Sequence, residues 1–159
     1  MNKAGIVKAV SDLLLIDDSE EDNEFHTIVI KLIAPRVKIH TITDSREALT
    51  CWKSGLVVTK NKSYPFPGIV FLDINMPAIN GLELLEKMKA VPDSKGHFER
   101  TSIYLLSSYI SPVVSELAAE KYGDLLCGFY EKPLTGQIFL DALDKHAKRQ
   151  EAPSRLYLP

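Results

Sequence analysis

Continuous apolar runs alternate along the chain with segments in which apolar residues recur at helical spacing. The clearest run is 69–72, which leads directly into Asp73 and a proline-containing turn. An uninterrupted apolar run of this length is typical of a parallel strand that is covered on both faces. A second run, 13–16, ends on the acidic pair Asp17 and Asp18. The pattern therefore predicts two buried strands, each followed by carboxylates.

Three further strands, and a helix after each of the five, complete the predicted pattern. The strands are predicted at 37–42, 103–106 and around 128–130, and the helices run from the acidic turn to Pro35, from Asp44 or Ser45 to Gly55, from Asn80-Gly81 to Met88, from Ser111-Pro112 to Gly123, and from Thr135 to His146. Leu82, Leu85 and Met88 are expected to face inward, as are Ile138, Phe139, Ala142 and Leu143. Segments 56–68 and 92–100 are expected to be loops, the first a surface insertion. Strict strand-helix alternation predicts a parallel sheet with right-handed crossovers and helices on both faces.

Length and charge narrow the class of protein without indicating its function. The chain has 159 residues, which fits one domain with a real core. Nineteen basic and twenty-one acidic residues give a net charge of -2, so we expect no nucleic-acid or membrane partner. Cys51 and Cys127 show no metal or redox spacing and are expected to be reduced thiols. A cytoplasmic location is therefore predicted, since no apolar run approaches the roughly 20 residues of a membrane span.

Polar residues stand at the carboxyl end of the predicted strands, where α/β proteins bind ligands. Asp17 and Asp18 follow the first strand, Asp73 the third, Ser107 the fourth and Lys132 the fifth. Each residue alone is explained equally well as a helix cap or a turn residue. If the three carboxylates converge, a hard cation such as Mg²⁺ would neutralise them. Together with the hydroxyl and the ammonium, they would suit the transfer of a phosphoryl group to Asp73.

In this order and strand context, the residues resemble the receiver domain of two-component response regulators. The matching features are the acidic pair Asp17-Asp18, the Asp-x-Asn-Met-Pro-x-x-x-Gly turn from Asp73 to Gly81, Ser107, and Lys132-Pro133. The resemblance spans 12–148 and leaves tails at 1–11 and 149–159. It implies a single doubly wound five-stranded parallel sheet with the flavodoxin-like order 2-1-3-4-5.

The resemblance also implies roles for the site residues. Asp73 would accept a phosphoryl group, and Mg²⁺ would be held by Asp17 or Asp18, Asp73 and the carbonyl of Asn75. Lys132 would pair with Asp73 or its phosphate, and the bond to Pro133 would be cis. Ser107 and Phe129 would form the switch that moves on phosphorylation. Tyr109 is expected to shield the acyl phosphate and slow its hydrolysis.

A single-domain response regulator, a signalling switch and not an enzyme, is therefore the expected function. The expected partners are a sensor histidine kinase or a histidine phosphotransfer protein, a downstream target protein, and a second copy in a phosphorylation-dependent homodimer. Because only a short segment follows the last predicted helix, we expect a stand-alone receiver. Two alternatives remain open: a phosphorelay intermediate that passes the group on, and a scaffold that is never phosphorylated.

Two enzyme classes fit the sequence less well. Haloacid dehalogenase-type phosphatases also form an aspartyl phosphate, but they need Asp-x-Asp after the first strand, and Ser19 stands where the second acid belongs. P-loop nucleotide enzymes need a Gly-rich loop ending in Lys-Ser or Lys-Thr, which this sequence lacks.

Overall fold

The computed structural model describes residues 10–59, 61–92, 94–109 and 111–151. The predicted tails, 1–11 and 149–159, lie mostly outside the described residues. Within them the chain forms seven strands and six helices, in the order β1 Asp12–Ile16, α1 Glu20–Ile33, β2 Lys38–Ile42, α2 Ser45–Ser54, β3 Leu56–Val58, β4 Ser63–Pro65, β5 Ile69–Asp73, α3 Gly81–Lys89, α4 Ser94–Arg100, β6 Ser102–Ser107, α5 Pro112–Tyr122, β7 Leu126–Glu131 and α6 Gly136–Glu151. The five predicted strands are β1, β2, β5, β6 and β7.

These five strands form one sheet in the order β2-β1-β5-β6-β7. Every pairing between neighbours is parallel. The first and third predicted strands, β1 and β5, are adjacent, with Leu15 opposite Phe71. The predicted doubly wound sheet and its 2-1-3-4-5 order are therefore confirmed.

Two hydrophobic cores cover the two faces of the sheet, because successive side chains of a strand point to opposite faces. Leu13 and Leu15 of β1 belong to one core, with buried side chains from α1 and α6. Leu14 and Ile16 belong to the other, with buried side chains from α2, α3, α4 and α5. The central strands are apolar throughout because both of their faces are covered.

Side-chain caps fix where the helices that follow β1, β2 and β5 begin. Ser19 accepts a hydrogen bond from the backbone N–H of Asp22, and Asp44 accepts one from Arg46. Asn80 and Glu83 form a reciprocal capping box at the start of α3. These caps place the first turn of each helix directly beside a strand's carboxyl end, where the site residues lie.

Both segments predicted as loops contain regular structure, so that prediction was wrong. Strands β3 and β4 form an antiparallel hairpin within 56–68, and α4 occupies most of 92–100. The buried indole of Trp52 joins them: its ring centroid lies 5.2 Å from that of Phe66 and 4.6 Å from that of Phe98. Its Nε1 donates a hydrogen bond to the carbonyl of Met88 at 3.1 Å. Tertiary packing stabilises elements that are too short to show a periodicity.

Two smaller expectations about helices also need correction. In α3 the fully buried residues include Leu84 with Leu85 and Met88, whereas Leu82 is only partly buried. The last helix continues to Glu151, beyond the predicted end at His146, and Ile138 on it is partly buried. Among the described helices, none is long and apolar enough to cross a membrane.

Candidate functional site

Side chains from four neighbouring strands meet at the carboxyl edge of the sheet. Asp17 follows β1, Asp73 ends β5, Ser107 ends β6 and Lys132 follows β7. Asp17, Asp73 and Ser107 are all buried. The structure therefore brings these sequence-predicted residues to one place.

Three aspartates form the acidic part of the site. One carboxylate oxygen from each of Asp17, Asp18 and Asp73 lies within 4.8 Å of the other two. Asp17 is held in place from α1, because its Oδ1 accepts the backbone N–H of Ser19 at 3.0 Å and its carbonyl accepts Nδ2 of Asn23 at 2.9 Å. Asp18 is exposed, so the cluster is open to solvent on one side.

Lys132 places its ammonium among these carboxylates. Its Nζ lies 2.6 Å from Oδ2 of Asp17, 3.2 Å from Oδ1 of Asp73 and 2.8 Å from Oδ2 of Asp22. Burial disfavours the ammonium, but the contacts with Asp17 and Asp22 outweigh it and raise the pKa of Lys132. The lysine is therefore a fixed positive charge at neutral pH.

Carboxylates outnumber the single ammonium of Lys132 at the site. Oδ2 of Asp17 and Oδ1 of Asp73 are both buried and both contact the same ammonium, that of Lys132. Burial, reinforced by the charge of Asp17, raises the pKa of Asp73 in spite of Lys132. Several clustered carboxylates that share one ammonium suit a hard, oxygen-seeking cation. The donor set thus fits the Mg²⁺ that the resemblance implies.

The hydroxyl of Ser107 lies beside the Asp73 turn. It donates a hydrogen bond to the carbonyl of Tyr109 at 2.8 Å and receives one from Nδ2 of Asn75 at 3.3 Å. Tyr109 itself is 76% exposed, so its ring extends into solvent instead of lying against the buried carboxylates. These hydrogen bonds hold the hydroxyl of Ser107 at the edge of the site, and the hydroxyl can rotate to donate to another acceptor.

A tight backbone approach fixes the position of Asp73. The backbone N–H of Gly81 donates to the carbonyl of Ile74 at 2.9 Å, and Ile74 in turn donates to the carbonyl of Leu106. A Cβ on Gly81 would lie only 2.3 Å from the carbonyl oxygen of Asp73. Glycine at position 81 therefore allows α3 to start directly against the end of β5.

The remaining predicted residues lie on β7 and just after it. Phe129 is partly buried and packs against the core on the α2–α5 side of the sheet. The Lys132–Pro133 peptide bond is cis, which is the geometry that the resemblance implies.

Two residues of α1 that contact the lysine loop were not predicted. Asp22 pairs with Lys132, and the buried ring of His26, one helical turn later, accepts the backbone N–H of Leu134 at its Nε2 at 3.1 Å. Burial lowers the pKa of His26, which favours the neutral ring that this bond requires. Their i, i+4 spacing places both on the inward face of α1, and polar residues on an inward helix face were the available signal.

The chain matches known proteins among the solved structures, but not among the family models or the curated proteins. No protein-family model and no curated protein matches the chain. A solved two-component response regulator from Cytophaga hutchinsonii does match, with 28% identity and a TM-score of 0.72, covering 87% of this chain and 98% of that one. A CheY-like response regulator receiver domain protein from Methanospirillum hungatei JF-1 matches with 15% identity and a TM-score of 0.64, over 89% and 98% of the two chains.

A third solved structure, the bacteriophytochrome response regulator AtBRR, is 23% identical with a TM-score of 0.67, over 87% of this chain and 93% of that one. Response regulators thus recur among these similar structures, one of them described as a receiver domain protein, and each match covers most of both chains. The resemblance to response regulator receiver domains is confirmed.

Proposed function

We propose that the protein is a phosphorylation-controlled signalling switch in which Asp73 accepts a phosphoryl group from a phosphohistidine. The donor would be a sensor histidine kinase or a histidine phosphotransfer protein. The observation that carries this proposal is the buried carboxylate of Asp73, which lies at a strand end beside Asp17 and 3.2 Å from the ammonium of Lys132. That arrangement offers a nucleophile together with a fixed positive charge for the incoming phosphoryl oxygens.

The phosphoryl group would pass directly from the donor imidazole to Asp73. An oxygen of the Asp73 carboxylate forms a bond to phosphorus while the P–N bond to the donor imidazole breaks. The electron pair of that bond stays on the nitrogen, which takes a proton from solvent. Lys132 offsets the negative charge on the phosphoryl oxygens, and Ser107 donates its hydroxyl to one of them after releasing the carbonyl of Tyr109.

Mg²⁺ is part of the proposal. Asp17, Asp18 and Asp73 would hold it, with the carbonyl of Asn75 as a further ligand. When bound, the ion neutralises the charge that the carboxylates and the phosphoryl oxygens bring together. Asp73 has two oxygens, so one remains for the attack on phosphorus.

The output would be a change of protein-protein contacts. Phosphorylation adds about -1.5 to -2 charge, which rearranges the hydrogen bonds of Ser107 and the packing of Phe129. Exposed apolar side chains follow Ser107 on Tyr109 and along α5, including Val113 and Leu117. We assign target docking, and the proposed homodimer, to the surface formed by α5, β7 and α6. The domain limits 12–148 and a cytoplasmic location remain predictions.

The decisive experiment is labelling with phosphoramidate and Mg²⁺, read by intact mass. We expect the native protein to gain one phosphate and Asp73→Asn to gain none. Asp144→Asn is the matched control, because it makes the same change at a partly exposed position on α6 and should label normally. Chelating Mg²⁺ with EDTA should stop labelling. If the native protein gains no phosphate, the scaffold alternative replaces this proposal.

A further inference from the structure

The ammonium of Lys132 is shared among three carboxylates, one of which lies outside the predicted site. A lysine ammonium carries three N–H donors. Asp17, Asp22 and Asp73 all approach it, at 2.6, 2.8 and 3.2 Å respectively. The contacts with Asp17 and Asp22 are the two shortest, and the contact with Asp22 has hydrogen-bond geometry. Asp22, on α1, therefore occupies one of the three N–H donors of the ammonium.

The three pairs differ in how easily they break. The side chains of Asp17 and Asp73 are each 4% exposed, whereas that of Asp22 is 43% exposed. Separating a buried pair leaves a charge without solvent, which is costly. Separating the pair with Asp22 returns its partly exposed carboxylate to water, while Lys132 keeps two buried carboxylate partners, so this pair costs the least to break. Asp22 is accordingly the partner that Lys132 can give up.

We infer that Asp22 is a positioning residue that holds Lys132 on the α1 side of the site and releases it when a phosphoryl group occupies Asp73. This inference rests on the proposed function. A phosphoryl oxygen on Asp73 needs an N–H from Lys132, and all three carboxylates compete for these donors. Because Asp22 pairs with Lys132 only in the unphosphorylated form, it favours that form over the phosphorylated one. Asp22 thus sets how readily the site accepts a phosphoryl group.

An equilibrium measurement tests this inference directly. Beryllofluoride, a stable phosphoryl analogue, is titrated with saturating Mg²⁺ into native protein, Asp22→Asn and Asp22→Glu, and its dissociation constant is measured by calorimetry. We expect ~2- to 5-fold tighter binding by Asp22→Asn, which corresponds to the strength of an exposed ion pair. Asp22→Glu restores the pair and should return the constant towards the native value.

Glu24→Gln is the matched control, because it removes the same charge from an exposed residue of α1. We expect native affinity from this variant, and a smaller effect of Asp22→Asn in high salt, where exposed pairs are screened. Phosphoramidate labelling should show the same order. Asp22→Asn should be half-labelled at a lower phosphoramidate concentration than the native protein, whereas its labelling rate at saturating phosphoramidate should differ less from the native rate.

Failure of the inference differs from failure of the proposed function. If the native protein labels and binds beryllofluoride but Asp22→Asn behaves like Glu24→Gln, or binds more weakly than the native protein, the role of Asp22 is refuted and the proposed function stands. If the native protein neither labels nor binds beryllofluoride, both are refuted.

Discussion

Replacing Gly81 with alanine tests whether the close approach of α3 to β5 positions Asp73. The new Cβ would lie 2.3 Å from the carbonyl oxygen of Asp73 and 2.9 Å from Cα of Ile74. Carbon-oxygen contacts settle at about 3.3 Å or more, so the two backbone segments must separate by about 1 Å. No side-chain rotation relieves the clash, because both contacted atoms are backbone.

The cost of this separation can be bounded. Overpacking typically costs about 1–3 kcal/mol, and a clash with backbone belongs at the upper end. Alanine recovers at most about 1 kcal/mol as a better helix former. We expect a net loss of about 2 kcal/mol, which lowers the Tm of a chain of this size by about 4–8 °C. Because Asp73 moves with the backbone, phosphoramidate labelling should slow by about 10- to 100-fold.

Thermal unfolding followed by circular dichroism provides the assay, with Gly96→Ala as the control. A Cβ at Gly96 would meet only Nη1 of Arg100 at 3.6 Å, an ordinary contact, and Gly96 lies within α4. This control should be neutral or stabilised by about 0.4–1 kcal/mol. If Gly81→Ala unfolds at the same temperature as Gly96→Ala and labels at the native rate, the close approach does not position Asp73.

Three further predictions concern stability. Trp52→Ala removes the indole that joins the hairpin to α4 and should cost about 3–5 kcal/mol in urea unfolding; a loss no larger than that of an exposed substitution would contradict this role. His26→Ala leaves the backbone N–H of Leu134 without its acceptor and should cost about 1–3 kcal/mol at neutral pH. The folded-state pKa of His26 lies below 6.5, so the neutral ring stabilises the fold above pH 6.5, and this contribution is lost as the pH falls. The native protein should therefore lose stability on acidification more steeply than His26→Ala. Parallel plots of unfolding free energy against pH would refute this coupling. Burial raises the folded-state pKa of Asp73, so ionisation of its carboxyl as the pH rises opposes folding. Without Mg²⁺, Asp73→Asn should therefore be more stable than the native protein at neutral pH, and the difference should shrink at acidic pH. A variant less stable than the native protein at neutral pH would contradict this prediction.

The central sheet and most of the site could be predicted from sequence because strong local patterns encode them. The runs at 13–16 and 69–72 are apolar throughout, and each ends on a carboxylate. Strand ends that share one edge then bring distant residues together, which is how Asp17 and Lys132 come to pair. The alternation of strands and helices predicted the parallel sheet, whereas the strand order and the pairing of Lys132 with Asp73 were implied by the resemblance to receiver domains; the pair with Asp17 was not predicted.

What was missed depends on tertiary contacts between short or polar segments. Strands β3 and β4 have three residues each, which is too few to reveal a period. Asp22 stands in a run of acids whose helix-capping role explains it without any partner. Its i, i+4 spacing with His26 marks it as a polar residue on an inward helix face, but does not indicate that its partner is Lys132, 110 positions later. Local patterns indicate elements, whereas pairings across the fold require coordinates.

The aromatic cluster around Trp52 makes the two inserted segments depend on each other. The hairpin and α4 both lead into the amino-terminal ends of strands, opposite the carboxyl edge of the sheet, so neither borders Asp73. Both segments cover the indole of Trp52, so shortening either one would expose part of that ring and weaken the packing on which the other rests. An engineered receiver that borrows this end of the molecule should therefore transplant both segments as a single graft.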